Sequence, residues 1–216
     1  MNSTSPRGVS DSPEGDVTDW AGRVRELCTR ELAALPADGL VVDVCSGEGG
    51  VARTLLPQGR IVGVEYSWER CRRSGGRVTM VRGDACRLPL RDGCASAVFF
   101  FEGIEHLAEP GRALADIHRI LKPEGRLFIS TPNSLCISLR RLRDYGALRP
   151  EQVRRSHLRE WSYGFPAFLA RHGYRIERRT SPDPLGSGWY RRARISVPER
   201  LRWLIGCTQL VIARRA

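Results

Sequence analysis

The sequence predicts an α/β fold, a parallel sheet with helices covering both of its faces. Two observations carry that prediction. Short apolar runs of strand length alternate with helical segments through the first two thirds of the chain, and the residues that end those runs are glycines and carboxylates. Strand–helix–strand alternation of this kind builds a parallel sheet. Ligands of such sheets sit beyond the carboxyl ends of the strands, so the residues just after each run are the ones to read for chemistry.

The opening MNSTSPRGVSDSPEGD is polar and has no apolar stretch of signal-peptide type; residues 1–16 read as a disordered tail ahead of a single domain over 17–216. Asp19–Leu35 has helical periodicity, with Val24, Cys28, Leu32 and Leu35 on one side. Leu40–Cys45 is the first strand and leads through SGEGG into a helix at Val51–Leu56. Arg60–Glu65 is the second strand, followed by a short helix around Trp68–Arg73. Arg77–Val81 is the third strand, ending in Gly-Asp-Ala, and Ala95–Phe101 is the fourth. Arg112–Leu121 is a helix stopped by Pro123-Glu124-Gly125, and Arg126–Ser130 is the fifth strand. Beyond it, residues 134–155 read as an insertion, Phe165–His172 as a helix and Tyr174–Arg179 as a strand. A loop, a short helix at Pro198–Ile205 and a closing strand at Thr208–Ala213 complete the pattern.

A chain of 216 residues with 41% hydrophobic and 27% charged residues is long enough for one ordinary soluble domain. No apolar run approaches the roughly 18 residues of a membrane span, which excludes an integral membrane protein. The seven cysteines include no Cys-x-x-Cys pair, so reduced thiols in a cytoplasm fit better than a zinc site or a disulfide framework. The net charge of +11 is unevenly placed: residues 138–216 carry 18 basic and 6 acidic side chains. A basic final third suits an acidic partner such as a phosphate, a carboxylate or RNA, or else a solvated arginine face.

The segment VVDVCSGEGG sets Asp43 and a glycine loop between strand and helix, where Gly47 and Gly49 let the backbone approach a ligand. The loop alone is weak evidence, since the spacing of Gly47, Gly49 and Ala52 also fits dinucleotide binders. Glu65 ends the second strand, where a carboxylate can hold ribose hydroxyls, with Tyr66 next to it. Asp84 and Ala85 follow the third strand, where a side chain can accept from an adenine amino group.

Taken together, VVDVCSGEGG, IVGVE, GDACRLPL, EGIEHLAEPGRAL, HRILKPEGRLFISTPN and TQLVIARRA resemble the class I S-adenosylmethionine-dependent methyltransferases. The resemblance implies a Rossmann-like, mostly parallel sheet of seven strands with a reversed final hairpin. It implies S-adenosylmethionine as cofactor, with Asp43, Cys45, Gly47 and Gly49 around its methionine end, Glu65 and Tyr66 at the ribose, and Asp84 and Ala85 at the adenine. Cys45 departs from the glycine usual in that loop.

Glu102, Glu105 and His106 follow the fourth strand in the spacing i, i+3, i+4, which places three groups on one face of a helical turn. Two carboxylates and an imidazole can act in acid–base chemistry or hold a divalent cation, magnesium or a softer ion. An Glu-His-Leu at this place also occurs in members of the superfamily that use no metal. The later His157-Leu158-Arg159-Glu160-Trp161-Ser162 resembles the metal-dependent methyltransferases that modify the 3′ ends of small RNAs; that resemblance implies a metal set of Glu102, Glu105, His106 and His157. The Glu-x-x-Glu-His also resembles the ubiquinone-pathway O-methyltransferases. His118 and His172 lie in helical patterns and read as packing or surface residues, and Trp161, Tyr163 and Phe165 as core.

The first functional expectation is therefore O-methylation of a small biosynthetic intermediate, acidic, phosphorylated or sugar-bearing, by Glu102, Glu105 and His106. The segments near 134–160 and 181–197 would form the acceptor side. RNA 2′-O-methylation is the alternative, and a cofactor-binding regulator without catalysis is a third reading. The acceptor and the oligomeric state are not legible at this level.

Overall fold

The computed structural model describes residues 14–138, 157–159, 161–183 and 197–216. Its centre is a seven-stranded sheet of order β3-β2-β1-β4-β5-β7-β6, built from β1 (Leu40–Val44), β2 (Arg60–Glu65), β3 (Thr79–Arg82), β4 (Ala95–Phe101), β5 (Leu121–Pro132), β6 (Tyr174–Thr180) and β7 (Thr208–Arg215). The first five strands run parallel, and β7 runs antiparallel to both β5 and β6. This is the expected architecture, reversed hairpin included.

Alternation along the strands divides the core between two faces. Val41, Phe99, Phe128, Leu210 and Ile212 pack beneath α1 (Glu14–Leu27), α2 (Thr29–Ala33) and α3 (Gly50–Leu55). Val42, Val98, Phe100, Ile129 and Val211 pack on the other face against α5 (Pro110–Ile120) and α6 (Phe165–Arg171). α4 (Trp68–Arg73) follows β2, and α7 (Glu199–Ile205) precedes β7. Pro110 in the first turn of α5 starts the helix, and Ala113, Leu114, Ile117 and Ile120 form its buried stripe.

Several boundaries differ from expectation, each for a local reason. The first helix begins at Glu14, inside the expected tail, and the periodic stretch to Leu35 breaks at Cys28 into two helices. At the break the Thr29 hydroxyl donates to the carbonyls of Arg25 and Glu26, a back-bond that bends helices. The third strand is shifted toward its carboxyl end, because Arg77 is held in a turn by its N–H bond to Ser74. The fifth strand starts directly after α5 and absorbs Pro123-Glu124-Gly125 as an irregularity opposite Ala95–Ala97. The rest of the expected tail, and most of both acceptor-side segments (139–156, 160 and 184–196), lie outside the described residues.

Part of the basic final third is neutralised internally. Arg126 and Arg214 both donate to Glu177; burial alone would raise that carboxyl, and the two guanidiniums outweigh it and hold it low. Arg178 is paired with Glu31 and Glu199. Among the described residues no helix is long and apolar enough to cross a membrane.

Candidate active site

The carboxyl ends of β1, β2 and β3 bring the expected cofactor residues to one edge of the sheet. Asp43 is buried and accepts a hydrogen bond from the Ser46 hydroxyl at 2.8 Å. Burial pushes its carboxyl up to about 7; the Ser46 bond opposes the rise and the nearby Glu65 adds to it. Glu65 is also buried, and its two oxygens accept from the backbone N–H groups of Gly47 (3.0 Å) and Ser67 (2.9 Å). One carboxylate thus ties the glycine loop to the turn after β2. Asp84 is exposed, with one oxygen accepting from Cys86 N–H at 2.8 Å, and Ala85 behind it is buried. Tyr66 is exposed beside Glu65.

The loop geometry explains where glycine is needed. Gly49 has φ +78°, and a Cβ there would lie 2.5 Å from a Val78 methyl. Cys45 has φ +57°, in the left-handed region that disfavours a side chain. The family's glycine at this position would carry no such cost. Burial first, then the charges of Glu65, Asp43 and Glu105, push the Cys45 thiol up to about 12, so it stays protonated near neutrality.

Past β4 the structure divides the expected quartet. Glu105 is buried and accepts from the Thr131 hydroxyl at 3.2 Å, and the His106 Nε2 lies 3.8 Å from its other oxygen. The Glu105 backbone carbonyl accepts from the N–H groups of Leu158 and Arg159, which anchors 157–159 here. The rings of His106 and His157 meet edge to face at 4.9 Å between centroids. Ligand atoms of Glu105, His106 and His157 all lie within 4.8 Å of one another.

Glu102 does not join that set. The expected helical turn is short, a 3-10 turn over Ile104–His106 only. Glu102 precedes it with φ +48°, and its carboxylate accepts from the Ser130 hydroxyl at 2.8 Å. The left-handed residue breaks the helical spacing on which the i, i+3, i+4 reading depends. The sequence reading also missed Ser46, Ser130 and Thr131, which orient Asp43, Glu102 and Glu105. Only their positions, at or just past strand ends, could have flagged them.

The remaining aromatic and histidine expectations hold in part. Phe165 is fully buried, and the Trp161 ring packs on Phe165 and Phe168, while Tyr163 is exposed, its hydroxyl donating to the Leu204 carbonyl. His172 packs on Phe168 and bonds its carbonyl, and His118 packs on Tyr174. Glu160 lies outside the described residues.

A Rossmann-like sheet with an acid at three successive strand ends is an arrangement that suits a nucleoside cofactor. The methyltransferase-domain family model matches residues 42–129, from β1 through most of β5. A protein of Streptomyces fradiae transposon TN4556, of uncharacterised role, is 30% identical over 143 residues, 62% of this chain and 41% of its own. The ubiquinone/menaquinone biosynthesis C-methyltransferase UbiE of Syntrophotalea carbinolica is 33% identical over 118 residues, 50% of this chain and 49% of its own. The chain therefore spans about half the length of the curated relatives it matches. Among solved structures, the PH0226 protein of Pyrococcus horikoshii superposes with a TM-score of 0.66 at 20% identity, over 95% of this chain and 93% of that one. Residues 42–129 thus match a methyltransferase domain, and the chain is similar to the class I S-adenosylmethionine-dependent methyltransferases, enzymes whose cofactor is S-adenosylmethionine.

Proposed function

We propose that this protein transfers the methyl group of S-adenosylmethionine to a hydroxyl of a small biosynthetic intermediate. The observation that carries the reading is the cluster of Glu105, His106 and His157, whose ligand atoms lie within 4.8 Å of one another on the same side of the sheet's strand ends as Asp43 and Glu65. The cofactor fits this place, because its sulfonium and ammonium are cationic and the site is built from carboxylates. When bound, it supplies a methyl group already activated for displacement.

The chain's own residues then have three tasks. Asp43 and the loop at Gly47 and Gly49 hold the methionine end, Glu65 and Tyr66 the ribose, and Asp84 with Ala85 the adenine. Glu105, steadied by Thr131, orients the His106 imidazole, which takes the proton from the acceptor hydroxyl as its oxygen attacks. Burial of Glu105 keeps water from competing for that proton. Glu102, turned onto Ser130, shapes the loop and does not handle the proton.

A divalent cation fits the same cluster. One carboxylate oxygen and two imidazole nitrogens suit zinc, manganese, iron or cobalt better than magnesium, which prefers oxygen ligands. Glu105, His106 and His157 would hold the ion, and it would lower the pKa of a bound hydroxyl. The UbiE likeness favours a second reading, in which the same base deprotonates a ring hydroxyl and the methyl goes to the neighbouring carbon.

The test is turnover of methyl-labelled cofactor against catechols, hydroxybenzoates, sugars and RNA 3′ ends, with and without Mn²⁺ or Zn²⁺ and after chelation. A methyl ether from a small hydroxyl acceptor supports the proposal. A carbon-bound methyl supports the second reading, RNA labelling with steep salt dependence supports RNA 2′-O-methylation, and cofactor binding without turnover of any acceptor supports a regulator.

A further inference from the structure

The antiparallel insertion of β7 brings the start of that strand to the carboxyl end of β5, on the same edge of the sheet as the strand-end acids. Gln209 sits there, paired in register with Thr131, whose hydroxyl bonds Glu105. Gln209 alternates with Val211 and Ala213, both in the core on the Glu105 side. Its side chain is 1% exposed, and both its amide oxygen and its amide nitrogen are buried with no hydrogen-bond partner.

Two neighbours share the condition. The indole Nε1–H of Trp161 is buried and unmet, and so is the Asn133 side-chain oxygen. Asn133 and Trp161 are joined by a backbone bridge, and the Asn133 N–H donates to the Cys207 carbonyl, two residues before Gln209. Buried polar groups of a folded protein are nearly all satisfied, so three residues left open together at a ligand-binding edge call for a ligand.

We propose that Gln209, with Trp161 and Asn133, is the specificity anchor for the methyl acceptor, and that it reads a neutral polar group next to the methylated position. The inference rests on the methyl-transfer reading above. The open groups are Trp161 and Gln209 as donors and Gln209 and Asn133 as acceptors, so the ligand must offer a donor and an acceptor side by side. None of these three carries a charge, and the Glu105 carboxylate is bonded to Thr131, the register partner of Gln209. A carboxamide or hydroxy-ketone satisfies them, whereas a carboxylate, which only accepts, leaves Gln209 and Asn133 oxygens open and meets the Glu105 charge. Specificity of this kind is strong, because an analogue lacking the polar group leaves buried partners unpaired.

The probes are salicylamide, salicylate and phenol, titrated by calorimetry into protein saturated with S-adenosylhomocysteine. Salicylamide is expected to bind at least about tenfold tighter than the other two. Gln209→Leu is expected to remove that preference, to leave S-adenosylhomocysteine affinity unchanged and to raise the Tm, because an unmet polar group has been replaced by an apolar one. Gln209→Glu, which cannot donate from its carboxylate, is expected to weaken salicylamide as Gln209→Leu does. A raised Tm with salicylamide preference intact overturns the proposal, and so does wild-type protein that binds S-adenosylhomocysteine but shows no preference among the probes. Failure of S-adenosylhomocysteine itself to bind overturns the methyl-transfer reading instead.

Discussion

The two sides of the active-site edge are finished to different degrees. On the cofactor side, each predicted acid already has a partner from the chain: Asp43 has Ser46, Glu65 has the N–H groups of Gly47 and Ser67, and Asp84 has that of Cys86. On the acceptor side, Gln209, Trp161 and Asn133 keep open hydrogen-bonding groups in a buried setting. A site whose polar groups are held by its own backbone is rigid before its ligand arrives and takes one ligand. A site whose polar groups are unmet bears a stability cost that a particular ligand relieves. The difference teaches that the shared part of the reaction is built into the frame, and that the selective part is left for the substrate to complete.

The sharpest way to break this comparison is at Glu105, where the two sides meet. Glu105→Gln is expected to lower methyl transfer by roughly 10²–10⁴-fold while leaving cofactor affinity within about threefold, since the backbone ties of the cofactor loop do not involve that carboxylate. Parallel turnover and calorimetry would expose an equal loss in both, which would make Glu105 part of the frame. Glu65→Ala comes next. It removes the acceptor of two loop N–H groups along with the ribose contact, and S-adenosylhomocysteine should weaken by roughly 10–100-fold.

The third test uses pH. The Asp43 carboxyl is raised from 3.8 to about 7 in the folded chain. Between those values the folded state keeps a proton that the unfolded chain has released. Its stabilising contribution is therefore complete below pH 3.8 and lost as pH rises through about 7. A cationic ligand favours the ionised form, so cofactor affinity should rise with pH up to about 7, with proton release on binding below that point. Titration in buffers of different ionisation enthalpy measures the protons directly, and Asp43→Asn should abolish their release. The smallest effect is at Cys45: Cys45→Gly removes a side chain from a left-handed position and should stabilise the fold by about 1 kcal/mol without weakening the cofactor, as read by thermal unfolding with and without ligand.

Legibility in the sequence followed the same division. The acids at 43, 65 and 84 could be read because each stands at the end of its own strand, and strand ends are set by local apolar runs. Glu105, His106 and His157 gather as the spacing and the resemblance suggest, whereas Glu102 stands outside that 4.8 Å group, because a left-handed turn at a glutamate leaves no mark in residue spacing. Gln209 could not be read at all. It matters because β7 inserts beside β5, a pairing between residues far apart in sequence, and the polarity of Thr131 and Gln209 becomes meaningful only once they face each other.

That insertion also sets an order of assembly. Among the described residues β6 has β7 as its only neighbour in the sheet, and β7 lies between it and β5. During synthesis, β1 to β5 can form a sheet with an open edge long before Thr208 is made, while β6 has nothing to join. β6 can therefore join the sheet only with or after β7. A nascent chain can form the strand ends of its cofactor frame first, and Gln209, the proposed acceptor anchor, enters with the final strand.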